Sequence, residues 1–457
     1  MTDSGAFFGG ELPGDDELLR FLARFGIAPG PDGRLDPNQI VGKLQGLMGS
    51  FSTQMAGYGP SDRESGMNWA FARSIAERAL TDAAEPRAAK PPRQVLDAVT
   101  LADLWLDDEI VFDRIAAPAR LWARAEWIDT TFPTWQRLLA PIVTSLSAAI
   151  GNLMPPGGDD PLQTAMRPMV RMAATGMLAS QLGQSLGTLA QSVLSSGDLG
   201  LPLTSQPVVA FVTGNVGAFA AGLGVDDDDV WLFLALREVA RQRLFGAVGW
   251  LGPQLLALVT HYARDIRIDP SSLQDAVQGQ FGDTTDLAKV DLANLERASE
   301  AFAESLFAPS VTGEQREVLD RLETLLAIVE GWVDDVVAEV TRPRMPSAAG
   351  LSEALRRRGA SATGTRTALK RLIGLELEPR RTRDAANTWA ALRVAHGSAA
   401  RDAAWGHPDV VPSSADLDDP LGYVERVGRP IVADDFDSAL AQLLDDEGNR
   451  PDDPPAA

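Results

Sequence analysis

The chain has 457 residues, a formal charge of −22, no cysteine and three histidines, His261, His396 and His407. That inventory excludes cysteine nucleophiles, disulfides, iron–sulfur clusters and thiolate zinc sites, and leaves few nitrogen ligands for any metal. The negative balance argues against general nucleic-acid binding, because a polyanion is repelled at ordinary salt.

The pattern along the chain is helical. Amphipathic runs with three-to-four-residue spacing fall at Asp16–Phe25, Gln39–Met55, Asn68–Asp82, Pro118–Asp129 and Thr134–Leu153, with few alternating stretches. Glu85–Arg93 (EPRAAKPPR) reads as a linker. Met166–Leu194 reads as a buried helix or a tight helix pair, with Gly183 and Gly187 at a spacing that suits close helix packing. Gly214–Gly224 is glycine-rich but lacks the lysine and hydroxyl of a phosphate loop, so it reads as a helical turn and connector. Leu138–Met154 and Met172–Leu194 are the longest apolar stretches, and polar residues interrupt both, so no membrane span is expected. Residues 1–20 carry no basic and apolar leader, which points to a cytoplasmic protein.

Two charged segments flank the C-terminal end. Leu351–Arg383 holds nine basic residues against three acidic ones. It reads as a basic subdomain docked on the acidic remainder, since no aromatic residue is interleaved for base stacking. Asp434–Ala457 is acidic and ends in PDDPPAA, and reads as a frayed, solvated tail. The expected organisation is an N-terminal helical segment (1–84), a linker (85–94), a helical core (95–345), a basic C-terminal subdomain packed on it (346–430) and the tail (431–457).

The informative segment is Val225–Phe245, VDDDDVWLFLALREVARQRLF. Consecutive aspartates cannot converge on one ion, so Asp226 is assigned as the helix cap and Asp227–Asp229 as first-turn acids facing the positive end of the helix dipole. The helix is then apolar on every side and is expected to be buried. Arg237, Glu238 and Arg241 lie in this run, with the arginines at i and i+4 on one face. Charges on a buried helix are costly unless paired, so this place demands partners.

With histidine at both arginine positions the string would read HEVAH, the HExxH zinc motif. The chain resembles the actinobacterial zincin-like metallopeptidase family, whose members are described as hydrolases or zinc-dependent metalloproteases. Several other stretches carry the resemblance. They are MNWAFARSIA (Met67–Ala76), RAEWIDTTFPTWQRLLAP (Arg124–Pro141), VGWLGPQLLALVTHYARDI (Val248–Ile266), LLAIVEGWVDDVV (Leu325–Val337) and HPDVVPSSADLDDP (His407–Pro420). It implies a mainly α, zincin-like helical fold with at most a small β element, a zinc ion and a glutamate-activated water. In zincins of the glutamate type the third ligand lies on a later helix, often with an acid four residues on. Glu330 and Asp334 match that pattern, and Glu238 matches the catalytic base.

Here the chain departs from the family. Arginine offers no lone pair and stays protonated, so Arg237 and Arg241 remove both nitrogen ligands. Glu238 and Glu330 become natural ion-pair partners for them. The expectation is a chain with no metal, its site plugged by an Arg237/Arg241–Glu238/Glu330 network, acting as a binding or scaffold protein for a protein or peptide partner. The alternative is an active zinc-dependent metallopeptidase or hydrolase with Glu238 as general base and Glu330 as metal ligand.

Overall fold

The computed structural model describes residues 67–80, 92–116, 118–153, 161–265, 313–361, 367–370, 372 and 380–428. The helices expected at Asp16–Phe25 and Gln39–Met55, nearly all of the Glu85–Arg93 linker and the acidic tail lie outside these residues, as does part of the basic segment.

The described residues are mainly helical, with one two-stranded parallel sheet. In chain order they form α1 (Trp69–Arg78), α2 (Arg93–Asp107), β1 (Arg120–Trp122), α3 (Arg124–Leu153) and α4 (Pro161–Ala190). There follow β2 (Ala210–Val212), α5 (Thr213–Ala220), α6 (Asp227–Ala247), α7 (Leu251–Asp265) and α8 (Gly313–Thr341). The chain closes with α9 (Ala348–Ser361), α10 (Arg380–His396), α11 (Ser398–Ala403), α12 (Ser414–Asp418) and α13 (Pro420–Gly428).

Local chemistry explains the boundaries. Asn68 caps α1 by accepting the Phe71 amide at 2.9 Å. Asp226 caps α6 by accepting the Asp228 amide at 2.9 Å. The acids of its first turn also hold neighbours: Asp228 accepts from Gln94 at 2.6 Å, and Asp229 from the Ser347 hydroxyl at 2.6 Å. The Gly214–Gly224 segment is α5 and a turn in which Gly222 and Gly224 adopt φ of +82° and +65°.

One element differs from the sequence reading. Pro118–Asp129 is not a single helix: Arg120–Trp122 is strand β1, and the helix begins at Arg124. The three residues, of which only Trp122 has marked β-propensity, pair with β2, and this tertiary ladder overrides the helical spacing. From Arg124 the helix continues through Pro133 and Pro141 to Leu153, so Pro118–Asp129 and Thr134–Leu153 share one element.

The core is built around α6 and α8. On α6, thirteen residues from Val230 to Leu244 are buried, so the all-round apolar sequence corresponds to an interior helix. α6 packs against α2 on one side and α8 on the other, while α8 is covered by α10 and α7. Each fully buried Leu, Val or Phe here contributes roughly 1.5–3 kcal/mol. Met166–Leu194 is represented by α4, which is one helix rather than a pair. Gly183 and Gly187 let α1 approach it: a Cβ at Gly183 would stand 2.4 Å from the Ala72 carbonyl oxygen.

Strands β1 and β2 pair in parallel with Leu121 opposite Phe211. On the far side of β2, Ser195 forms an antiparallel bridge to Phe211, and the Ser196 amide donates to the Ala210 carbonyl at 2.9 Å. This bridge lays the Ser195–Gly200 loop across α6. Among the described residues, no single helix is long and apolar enough to cross a membrane.

Candidate functional site

Helix periodicity sets the first half of the site. Arg237 and Arg241 are one turn apart on α6, and Glu330 and Asp334 are one turn apart on α8, so the packed pair faces two cations with two carboxylates. Glu238 is rotated towards the Ser195–Gly200 loop. The structure thus brings together all five residues singled out by the sequence.

Arg241 is nearly enclosed, its side chain only 3% exposed. Its Nε and Nη2 donate to the two oxygens of Glu330 at 2.8 and 2.9 Å, a two-pronged contact that suits the planar guanidinium. Its Nη1 donates to Glu238 Oε2 at 2.7 Å. Arg237 donates from Nη2 to Glu330 Oε2 at 3.1 Å and from Nη1 to Asp334. Arg237 therefore pairs with Asp334 and Glu330, not with Glu238. Glu330 lies between the two guanidiniums and offsets their mutual repulsion.

Glu238 is saturated with donors. Its Oε2 accepts from the Ser195 hydroxyl at 2.6 Å as well as from Arg241. Its Oε1 accepts from the Gly197 amide at 3.0 Å and Gln242 Nε2 at 2.8 Å, and lies 2.5 Å from the Ser196 hydroxyl, whose single proton is contested by the Val208 carbonyl, also at 2.5 Å. A general base needs an oxygen free to take a proton from water, and this carboxylate has both oxygens engaged.

The electrostatics follow from this packing. Burial pushes the Glu238 carboxyl above the usual glutamate range, and Arg241 and the Ser195 hydroxyl only partly oppose it. Burial acts in the same direction on Glu330, but there the charges and hydrogen bonds of Arg241 and Arg237 win and hold it below the usual range. Burial would lower both arginines; the carboxylates around them overcome it and raise them, Asp334 and Glu330 for Arg237, Glu330 and Glu238 for Arg241.

These residues do not fit a zinc ion. The two positions that would supply nitrogen lone pairs carry guanidiniums, and both Glu330 oxygens are bound to Arg241. Among the described residues, no group of three or more histidine, aspartate or glutamate side chains is placed to hold a metal. His261 stands exposed on α7, and His396 ends α10 with its Nε2 3.3 Å from the Val424 carbonyl oxygen.

Several site residues carry no sequence signal. Ser195, Ser196 and Gly197 contact Glu238 from over 40 residues away, and only the bridge to β2 brings them there. Gly197 is needed for close approach, since a Cβ would stand 2.7 Å from Arg241 Cδ and 3.0 Å from Gln242 Nε2. Gly197→Ala is expected to destabilise the fold by about 1–3 kcal/mol through overpacking, read from denaturant unfolding. An unchanged midpoint would show that the loop does not press on Glu238.

Two further buried arginines escaped the sequence reading. Arg243, 1% exposed on α6, donates to Asp107 at 3.0 Å and to Asp103, tying α6 to α2. Arg401 of α11 is fully buried and pairs with Asp402 at 2.8 Å, Asp335 at 3.1 Å and Glu109 at 3.0 Å. In the basic segment, Arg356 and Arg357 pair with Glu353 of their own helix, while Arg358 lies 3.7 Å from Asp198 of the site loop.

Comparison with known proteins supplies the lineage. A structure from Chloroflexus aurantiacus, described as a "putative hydrolase with a novel fold", superposes with a TM-score of 0.53 at 20% identity, covering 80% of this chain and 99% of that one. At that identity the likeness concerns the fold. No match is found among curated proteins. The family model described as "Zincin-like metallopeptidase" matches residues 67–424, which include both helices of the site and the loop over Glu238, and the chain therefore belongs to the zincin-like metallopeptidase family.

Proposed function

We propose that this chain is a zincin-like family member that has exchanged zinc chemistry for binding, and that it serves as a scaffold or adaptor for a protein or peptide partner. The observation that carries this reading is the Arg241 guanidinium, which spans Glu238 and Glu330 where an ion would need open ligands. A delocalised cation neutralises the carboxylates and leaves no coordination site for water. The saturation of Glu238 adds a second, independent obstacle to hydrolysis. The overall charge of −22 makes a polyanionic partner unfavourable.

The reading is tested by metal analysis of untagged protein purified without chelator. Zinc well below one ion per chain is expected, with no change on adding a chelator and no peptidase activity. Near-stoichiometric zinc that disappears in Glu330→Ala would overturn the proposal in favour of an active metallopeptidase using Glu238 and Glu330.

A further inference from the structure

Helix α2 turns its larger apolar residues away from the protein. Its buried stripe is Val95, Ala98, Ala102 and Leu106, at three- and four-residue spacing, and it packs against α6 and α8. Two of those four positions are alanine, while three leucines face outwards: Leu96, Leu101 and Leu104 are 40%, 37% and 52% exposed. The three fall within about 140° of the helix circumference, and Leu101 and Leu104 are neighbours at i and i+3. Of the seven large apolar side chains exposed among the described residues, these three share this face and a fourth, Val111, follows just past its end. Single exposed leucines are ordinary, but a group on one helix face marks an interaction surface. The leucines are not what holds α2 in place. Arg243 of α6 donates to Asp103 and Asp107, and Gln94 donates to Asp228 at 2.6 Å.

The charges around the face choose its partner. Three exposed arginines stand beside α2, and each is matched by an aspartate: Arg93 lies 3.6 Å from Asp97, Arg114 pairs with Asp107, and Arg344 lies 3.5 Å from Asp108. Further exposed aspartates have no cation in this set. Asp113 follows the C-terminal end of α2, and Asp226, Asp227 and Asp228 are brought to its N-terminal end by the Gln94 contact. The leucines are therefore framed by a net negative charge. That frame disfavours a second copy of this chain, which would set the same acids against each other, and equally an anionic lipid surface or a nucleic acid. A cationic amphipathic helix suits both features, with its apolar stripe on the leucines and its lysines or arginines against the surplus acids. The 15 residues of α2 span about 22 Å, room for roughly four turns of such a helix.

We propose that the outer face of α2 is a docking surface for a cationic amphipathic helix of a partner protein. The leucines supply the apolar contact, and the aspartates at the two ends discriminate against anionic partners. The surface is independent of whether the Arg–Glu cluster holds a metal.

The test uses the full chain and a fluorescent amphipathic peptide of leucine, alanine and lysine, with a counterpart carrying glutamate for every lysine. The lysine peptide is expected to bind the wild type at least about tenfold more tightly than the glutamate peptide, and more weakly as salt rises. Leu101→Gln together with Leu104→Gln changes no charge and keeps good helix formers at exposed positions. The thermal midpoint is therefore expected to hold, while binding of the lysine peptide falls at least about tenfold. Equal binding by wild type and double variant overturns the proposal, since charge alone would then capture the peptide. So does equal binding of the two peptides, or no binding of either. A dimer that the double variant abolishes would assign the face to a second copy, and a fall in the variant's midpoint would assign the leucines to the fold. Either result also overturns the proposal.

Discussion

Replacing Arg237 and Arg241 together by histidine is expected to create a zinc-binding chain that still does not hydrolyse peptides. The substitution places imidazoles one turn apart on α6, facing Glu330 on α8, and frees both Glu330 oxygens from the guanidinium that now holds them. It also removes the two cations that Glu330 and Asp334 meet among the described residues. Without metal the double variant buries mutually repelling carboxylates and should unfold at lower denaturant than the wild type. Zinc at a hundred times its dissociation constant would restore about 2.7 kcal/mol by mass action. A thermal midpoint that rises with zinc in the variant and stays still in the wild type is the expected signature. Hydrolysis is expected to remain absent, because Ser195, Ser196, Gly197 and Gln242 still occupy Glu238. Failure of zinc to shift the variant would show that the ligand geometry has also drifted, and recovered peptidase activity would show that the loop over Glu238 yields.

How much of this site is legible in the sequence depends on the range over which each contact acts. Arg237, Glu238 and Arg241 announce themselves because charges interrupt an apolar run, and helix periodicity alone fixes which of them share a face. Glu330 and Asp334 stand out for the same local reason on α8. What periodicity cannot convey is which face of α6 meets which element. Arg243 is one such case: two residues beyond Arg241 it points to α2 and pairs there with Asp103 and Asp107. The Ser195–Gly200 loop is another, since its approach to Glu238 is set by a single bridge to β2. The strand at Arg120–Trp122 was hidden for a related reason, because three residues gain their conformation from pairing with Ala210–Val212. Local pattern carries the helices and the anomalous charges, and non-local pairing carries the strand, the loop and the reason why Glu238 is closed.

The two glutamates are expected to separate sharply when each is replaced by glutamine. Glu330→Gln puts an amide N–H against the N–H groups of Arg241 and leaves a guanidinium that is 3% exposed without its main counter-charge. Loss of one partner of such a buried pair costs roughly 3–5 kcal/mol, a fall in melting temperature of about 3–5 °C for a chain of this length. Glu238→Gln keeps Arg241 paired with Glu330 and lets whichever of the Ser195 and Ser196 hydroxyls faces the new amide nitrogen turn round to accept, so its cost should stay at about 1–3 kcal/mol, that of one poorly matched buried hydrogen bond. The pH dependences should run in opposite directions. Glu330 is held below its ordinary value of 4.5, so the unfolded chain binds the extra proton first; its stabilisation is present above about that value and is lost as pH falls through the folded one. Glu238 is raised above 4.5, so the folded chain binds the extra proton; its contribution is complete below the unfolded value and declines as pH rises through the folded one. Urea unfolding across pH 3–8 is expected to show a flattened acid limb in Glu330→Gln and a smaller decline towards neutral pH in Glu238→Gln. Equal losses with parallel pH profiles would mean that Arg241 draws on both carboxylates alike, and that Glu330 is not its dominant counter-charge.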